Sequence, residues 1–380
     1  MKIVFTGGGT GGHFYPIIAV AEKVNQIADA ENILNPKLFY ISDSPYDQAV
    51  LFENGILYEE VYAGKIRINP SIKGRLLNFL DKFKIMLGVV NATYKMFTIY
   101  PDVVFGKGGY AAFPALFAAR ILGIPVVIHE SDSMPGRVNK WAGKFADKIA
   151  VSFEEAGAMF PAEKVAWTGQ PIRSTIETPA LRSEALEYFK LESQVPVIFI
   201  IGGSQGAELI NNTILDALPR LVENYQIIHQ TGVSNYKMVK GRADVVLSDN
   251  SNKARYTSIP FLNPLAMKMA AGVATIVVSR AGSGLFEVAS WGIPSILIPI
   301  ANTNEDHQRK NAFAFARAGA CSVIEEMNMT ANILSSEIDR IVEDKEEYAE
   351  MVASAKAFGK KDAATKIARE LIDIALSHEK

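Results

Sequence analysis

The chain has 380 residues, 39 Lys and Arg against 41 Asp and Glu, a formal net charge of −2 and 49% apolar residues. One hydrophobic core rarely fills that length, so two domains are expected, and the near-neutral balance excludes a global basic field for nucleic acid. The single cysteine, Cys321, excludes a disulfide framework or a cysteine-based zinc cluster and reads as a small buried thiol after a helix.

Strand-like runs fall at 2–6, 37–42, 102–105, 125–129, 148–152, 196–201, 226–229, 275–279 and 295–299, with helical 3,4 spacing at 16–28, 111–122, 207–222, 304–318 and 361–377. Alternating β and α elements with continuous apolar strands predict α/β architecture with doubly wound parallel sheets. The first strand, Lys2–Thr6, enters Gly7-Gly8-Gly9-Thr10-Gly11-Gly12 and then a helix, with His13 directly after the loop and Pro16 in its first turn. The G-x-G-x-x-G spacing lets a backbone approach phosphate at a helix N-terminus. It also permits a dehydrogenase reading through Asp43, although that residue is about thirty positions on where about 20 is usual. His13 is placed to act as a general base toward an attacking hydroxyl.

Residues 65–95 carry Lys65, Arg67, Lys73, Arg75, Lys82, Lys84 and Lys95 against Asp81 alone, seven positive charges and one negative. Ile72, Leu76, Leu77, Phe79, Leu80 and Phe83 are interleaved at helical spacing, which suits a segment lying on an anionic membrane surface. The most apolar long stretch, 109–128, is interrupted by Pro114, Arg120 and Pro125 and does not read as a span. With no signal peptide ahead of the first strand, the expected location is cytoplasmic, peripheral on the inner face of the cell membrane.

The layout then restarts. Val165–Arg173 reads as an interdomain linker, with Arg173 able to reach a donor, and Val195–Ile201 enters a second turn, Gly202-Gly203-Ser204-Gln205-Gly206. Ser279-Arg280-Ala281-Gly282-Ser283-Gly284 follows strand 275–279 and opens a helix through Leu285 and Phe286 to Glu287, whose carboxylate could accept both hydroxyls of a ribose. His307-Gln308 and Asn311 begin a later helix. Ligands in such sheets bind beyond the carboxyl ends of the strands, here expected in a cleft between two Rossmann-like halves. No Asp-x-Asp pair occurs in the sequence, so a metal-independent reaction without cofactor is expected.

Seven motifs in this order carry a specific resemblance. They are Gly8-Gly9-Thr10-Gly11-Gly12-His13 with Pro16; Gly106-Lys107-Gly108-Gly109-Tyr110 with Pro114; and His129-Glu130 with Gly136, Asn139 and Lys140. Gly169-Gln170-Pro171-Ile172-Arg173, Gly202–Ala207 with Asn211, Ser279-Arg280-Ala281-Gly282, and Gln308 with Asn311-Ala312 complete the set. Together they resemble the N-acetylglucosaminyltransferases that convert lipid I to lipid II in peptidoglycan synthesis, over residue 3 to about 325. The resemblance implies a GT-B fold with an N-terminal domain over 1–165, a donor domain over 166–357, and a terminal helix, about 358–380, crossing back to the first. It implies UDP-N-acetylglucosamine as donor, undecaprenyl-linked lipid I as acceptor and an inverting transfer. It places His13 as catalytic base. Thr10, Gly11, Gly12, Asp132, Arg173, Ser204, Leu262, Gly282, Ser283, Gly284, Leu285, Phe286, Glu287 and Gln308 become substrate-binding residues, Leu262 through its backbone to uracil. Two departures stand out: Glu130-Ser131-Asp132 replaces the usual Glu-Gln-Asn, and the stretch from Arg280 to Glu287 is one residue short. A non-hydrolysing UDP-N-acetylglucosamine 2-epimerase is the alternative with the same fold and donor. A non-catalytic UDP-sugar-binding subunit predicts a chain lacking one half.

Overall fold

The computed structural model describes residues 1–33, 35–67, 71–202, 207–301 and 306–377, with backbone alone at Ile72 and Lys73. It divides into two compact units, Met1–Arg173 with Lys361–Lys380, and Ser174–Lys360.

In the first unit, β1 (Lys2–Thr6), β2 (Lys37–Ser42), β3 (Ile56–Glu60), β4 (Val103–Gly106), β5 (Val126–Glu130), β6 (Lys148–Val151) and β7 (Val165–Trp167) form a sheet in the order β3-β2-β1-β4-β5-β6-β7. Every pairing described is parallel. Alternation within β1 explains its apolar run: Ile3 and Phe5 pack on one face against Ile17, Ile18 and Val24, while Val4 packs on the other with Ala92, Met96 and Ala115. The terminal helix, Ala363–Ser377, joins the first of these layers through Ile367, Leu371 and Ile372. The expected linker 165–173 is corrected at its start, because Val165–Trp167 is the edge strand β7 and the unit ends at Arg173.

The helix Ile72–Ile99 is apolar on two sides. Ser71 caps its start, accepting from the Gly74 N–H at 3.2 Å, and Tyr100 ends it in the left-handed region ahead of Pro101. Small or flexible Gly88, Ala92 and Met96 face inward. Leu76, Phe79, Phe83, Val90 and Phe97 are exposed, Phe97 by 69%, and fall three, four or seven residues apart. Arg75, Lys82 and Lys84 are exposed on the same helix, whereas Arg67 is paired with Asp81 at 2.7 Å and Lys95 with Glu59. Among the described residues no helix is long and apolar enough to cross a membrane.

The second unit repeats the design with β8 (Val197–Ile201), β9 (Gln226–Gln230), β10 (Tyr256–Ile259), β11 (Ile276–Ser279), β12 (Ser295–Leu297) and β13 (Cys321–Val323), in the order β10-β9-β8-β11-β12-β13. These pairings are also parallel. Cys321 is buried on the edge strand β13, and burial pushes its thiol up out of the reactive range. In both sheets the winding reverses beside the first strand, between β1 and β4 and between β8 and β11. Those reversals are the switch points where such sheets bind ligands.

Candidate active site

At the first switch point Thr6 pairs with Gly106, so the loops after β1 and β4 lie side by side. They pack too closely for side chains. A Cβ at Gly8 would stand 2.7 Å from Ser42 Oγ and 2.8 Å from the Ala111 Cβ. At Gly109, where φ is +78°, it would stand 2.8 Å from the Gly8 carbonyl oxygen and 3.5 Å from the His13 ring. The hydroxyls of Tyr40 and Ser42 donate to the Gly7 carbonyl at 2.5 and 2.9 Å, pinning the loop from β2.

Thr10 is exposed and precedes the helix Gly11–Ala30, in which Gly11, Gly12 and His13 form the first turn. The His13 N–H donates to the Thr10 carbonyl at 3.1 Å, while the N–H groups of Gly11 and Gly12 precede the first helical acceptor and can face an anion. His13 Nδ1 lies 3.1 Å from Thr10 Oγ1, and the ring also bonds the Gly8 carbonyl. The ring is partly exposed yet hemmed in by protein. Desolvation first, then the Lys107 ammonium, lowers its pKa to about 4 against an opposing pull from Asp132. The imidazole is therefore neutral at physiological pH.

A buried polar network lies beneath. Lys107 is 1% exposed and donates from Nζ to Ser131 Oγ; burial lowers its pKa to about 8, opposed by Glu130 and Asp132. Ser131 and Ser152 both donate to Gln170 Oε1, at 3.0 and 2.9 Å. The Glu130 carboxylate accepts from the Asp132 N–H at 2.9 Å, the Gly136 N–H at 3.0 Å and Asn139 Nδ2 at 2.9 Å. Burial nevertheless pushes its pKa up, helped by the negative charge of Asp132. His129 Nε2 donates to the Gly169 carbonyl at 2.9 Å, and burial holds this imidazole neutral. Arg173, at the end of the unit, places its guanidinium 3.8 Å from the Tyr15 ring centre. The structure thus gathers Thr10, Gly11, Gly12, His13, Asp132 and Arg173 at the carboxyl end of one sheet. Lys107, Ser131 and Gln170 had no role assigned from sequence; the available signal was a charged residue between two glycines after an all-apolar strand.

In the second unit the residues singled out from sequence follow β10, β11 and β12 at the carboxyl end of the other sheet. Ser204 lies outside the described residues. Leu262 has a buried side chain and its N–H donates to Gln230 Oε1 at 3.0 Å, so its carbonyl is the backbone group it can offer a base. Gly282 and Gly284 border open space, a Cβ at either meeting no described atom within 4 Å. The helix Gly284–Trp291 buries Leu285 and Phe286 and leaves Glu287 partly exposed in its first turn. Leu285 and Phe286 can therefore contribute backbone only, the Phe286 ring being stacked on Phe358 at 5.8 Å. Arg280 is held by Glu326 at 2.6 Å and donates to the Ile298 carbonyl at 3.0 Å, bracing the loop. Gln308 Oε1 accepts from the Ile300 N–H at 3.2 Å, tying the start of its helix to the end of β12.

Two parallel sheets with the same reversal and a glycine turn at each switch point are the paired Rossmann-like halves of the GT-B architecture. Residues 3–151 match the glycosyltransferase family 28 N-terminal domain and residues 197–367 its C-terminal domain. The chain is 34% identical over 369 residues, 96% of its length and 97% of the relative's, to the UDP-N-acetylglucosamine–N-acetylmuramyl-(pentapeptide) pyrophosphoryl-undecaprenol N-acetylglucosamine transferase of Pediococcus pentosaceus. The crystal structure of Acinetobacter baumannii MurG superimposes with a TM-score of 0.74 at 25% identity, covering 98% of this chain and 99% of that one. A putative UDP-N-acetylglucosamine 2-epimerase from Listeria monocytogenes shares the fold at a TM-score of 0.69 and 15% identity, over 100% and 96% of the two chains. The chain belongs to glycosyltransferase family 28 and, within it, to the N-acetylglucosaminyltransferases acting on muramyl-pentapeptide pyrophosphoryl-undecaprenol.

Proposed function

We propose that the chain transfers N-acetylglucosamine from UDP-N-acetylglucosamine to the 4-hydroxyl of undecaprenyl-diphosphate-linked N-acetylmuramoyl pentapeptide, inverting the anomeric centre and releasing UDP. The observation that carries this reading is a neutral imidazole at the first switch point, with Nδ1 engaged in its own loop. Nε2 of His13 takes the proton of the acceptor hydroxyl as its oxygen bonds the donor C1, and the C1–O bond to the diphosphate breaks with its electrons leaving on UDP. In the second unit, backbone N–H groups at Gly282, Ser283 and Gly284, at and just before the helix start, offset the growing charge on the diphosphate. Glu287 accepts the ribose hydroxyls, the Leu262 carbonyl receives uracil, and Gln308 adds a further donor contact within the same unit.

A polyprenyl acceptor stays in the bilayer, so the enzyme must come to it. The exposed apolar stripe of Ile72–Ile99, framed by Arg75, Lys82 and Lys84, supports peripheral attachment to an anionic cytoplasmic leaflet. The direct test is incubation with UDP-N-acetylglucosamine and a short-chain lipid I analogue in the presence of EDTA. The expected product is the β-1,4-linked disaccharide with UDP released. Epimerised donor formed without acceptor, or transfer abolished by EDTA and restored by magnesium, would overturn the assignment or its metal independence respectively.

A further inference from the structure

Lys107 is a charged residue only 1% exposed, and no role in the transfer has been given to it. Removing an ammonium from water costs several kcal/mol unless opposite charge accompanies it. Here Glu130 and Asp132 both favour the charged ammonium, and Ser131 between them accepts a hydrogen bond from it. The lysine begins against the first glycine loop: a Cβ on Gly7 would stand 3.0 Å from the Lys107 Cβ. Two residues on, Gly109 lies against the His13 ring and the Gly8 carbonyl.

We propose that Lys107, Ser131, Glu130 and Asp132 form one polar unit beneath the first glycine loop, and that Lys107 and Asp132 are positioning residues of opposite sign that tune the proton affinity of His13 from opposite directions. This deepens the reading of His13 as base and rests on it. Several groups face this part of the loop. The Thr10 hydroxyl and the Gly8 carbonyl come from its own loop, and Tyr46 stands by Gly11, its hydroxyl 2.7 Å from where a Cβ there would lie. Asp43 is engaged by the Tyr110 phenol, and the Arg173 guanidinium is turned onto Tyr15. Lys107 and Asp132 are the charged groups that act on the ring, the first opposing its protonation and the second favouring it. Deleting either alone leaves the other's effect on the ring unopposed; deleting both removes the two opposing effects together.

The test is the His13 imidazole titration in the intact protein, followed by NMR without substrate and assigned with His13→Gln. Lys107→Met should raise the midpoint by about one pH unit or more, the size of effect a nearby charge exerts on such a group. Asp132→Asn should lower it, and Lys107→Met/Asp132→Asn should return it toward wild type. Lys107→Arg, which keeps the charge, should leave the midpoint in place, and a merely structural role would not produce this pattern. Should Lys107→Met fail to fold, Asp132→Asn against Lys107→Arg carries the comparison. An unmoved midpoint in Asp132→Asn, or equal shifts in Lys107→Met and Lys107→Arg, overturns the proposal. Transfer assays on His13→Gln test the catalytic reading separately: full kcat there would remove the base while leaving the polar unit intact.

Discussion

The two units share a sheet order and a winding reversal, yet their switch points are furnished differently. The first crowds titratable groups: His13, Lys107, His129 and Glu130 lie around loops so tight that Gly8 and Gly109 admit no side chain. In the second, Gly282 and Gly284 border open space and the adjacent Arg280 is spent on Glu326. Burial and opposed charges tune proton affinity, whereas open first-turn amides bind anions without titrating. In the proposed reaction the same topology supplies a proton acceptor in one unit and a phosphate cradle in the other.

Removing the imidazole should break this contrast most severely. His13→Ala is expected to lower kcat by about 10²–10⁴-fold, the range for losing general-base help, with UDP affinity unchanged by calorimetry. A folded variant with near-normal kcat would make His13 structural. The proposed attachment face belongs to the first unit as well. Replacing Arg75, Lys82 and Lys84 with Glu should abolish co-sedimentation with anionic vesicles, since each basic residue near such a surface contributes about 1 kcal/mol and salt screens it. UDP affinity should be spared, and vesicle binding that survives reversal at low salt would move the docking face elsewhere. In the second unit, Glu287→Ala should weaken UDP by about 1–3 kcal/mol, roughly 5- to 150-fold, because buried ribose hydroxyls lose their acceptor. Unchanged UDP affinity would take Glu287 out of the site.

Much of this was legible because the central strands are continuous apolar runs and the glycine turns follow them directly. The strands that escaped notice, β3, β7, β10 and β13, are all sheet edges. They mix polar residues with apolar ones, as in Ile56-Leu57-Tyr58-Glu59-Glu60, or run for three residues, as in Val165–Trp167. The surroundings of Lys107 were hidden for a different reason. Its counter-charges come from Glu130 and Asp132, more than twenty positions away, and only parallel pairing of β4 with β5 brings them near. The helix Ile72–Ile99 left a similar ambiguity, since its apolar pattern fits core and membrane equally. Exposure of Phe79, Phe83 and Val90 resolves which side the large residues occupy.

The division of labour between the units is tested most directly by a double-mutant cycle on kcat/KM for donor, with the short-chain lipid I analogue held saturating. If proton acceptance and donor holding are separate tasks, the losses in His13→Ala and Glu287→Ala should add in the double variant to within about 0.5 kcal/mol. A double variant no slower than His13→Ala alone would show the two residues acting as one device and would contradict the account.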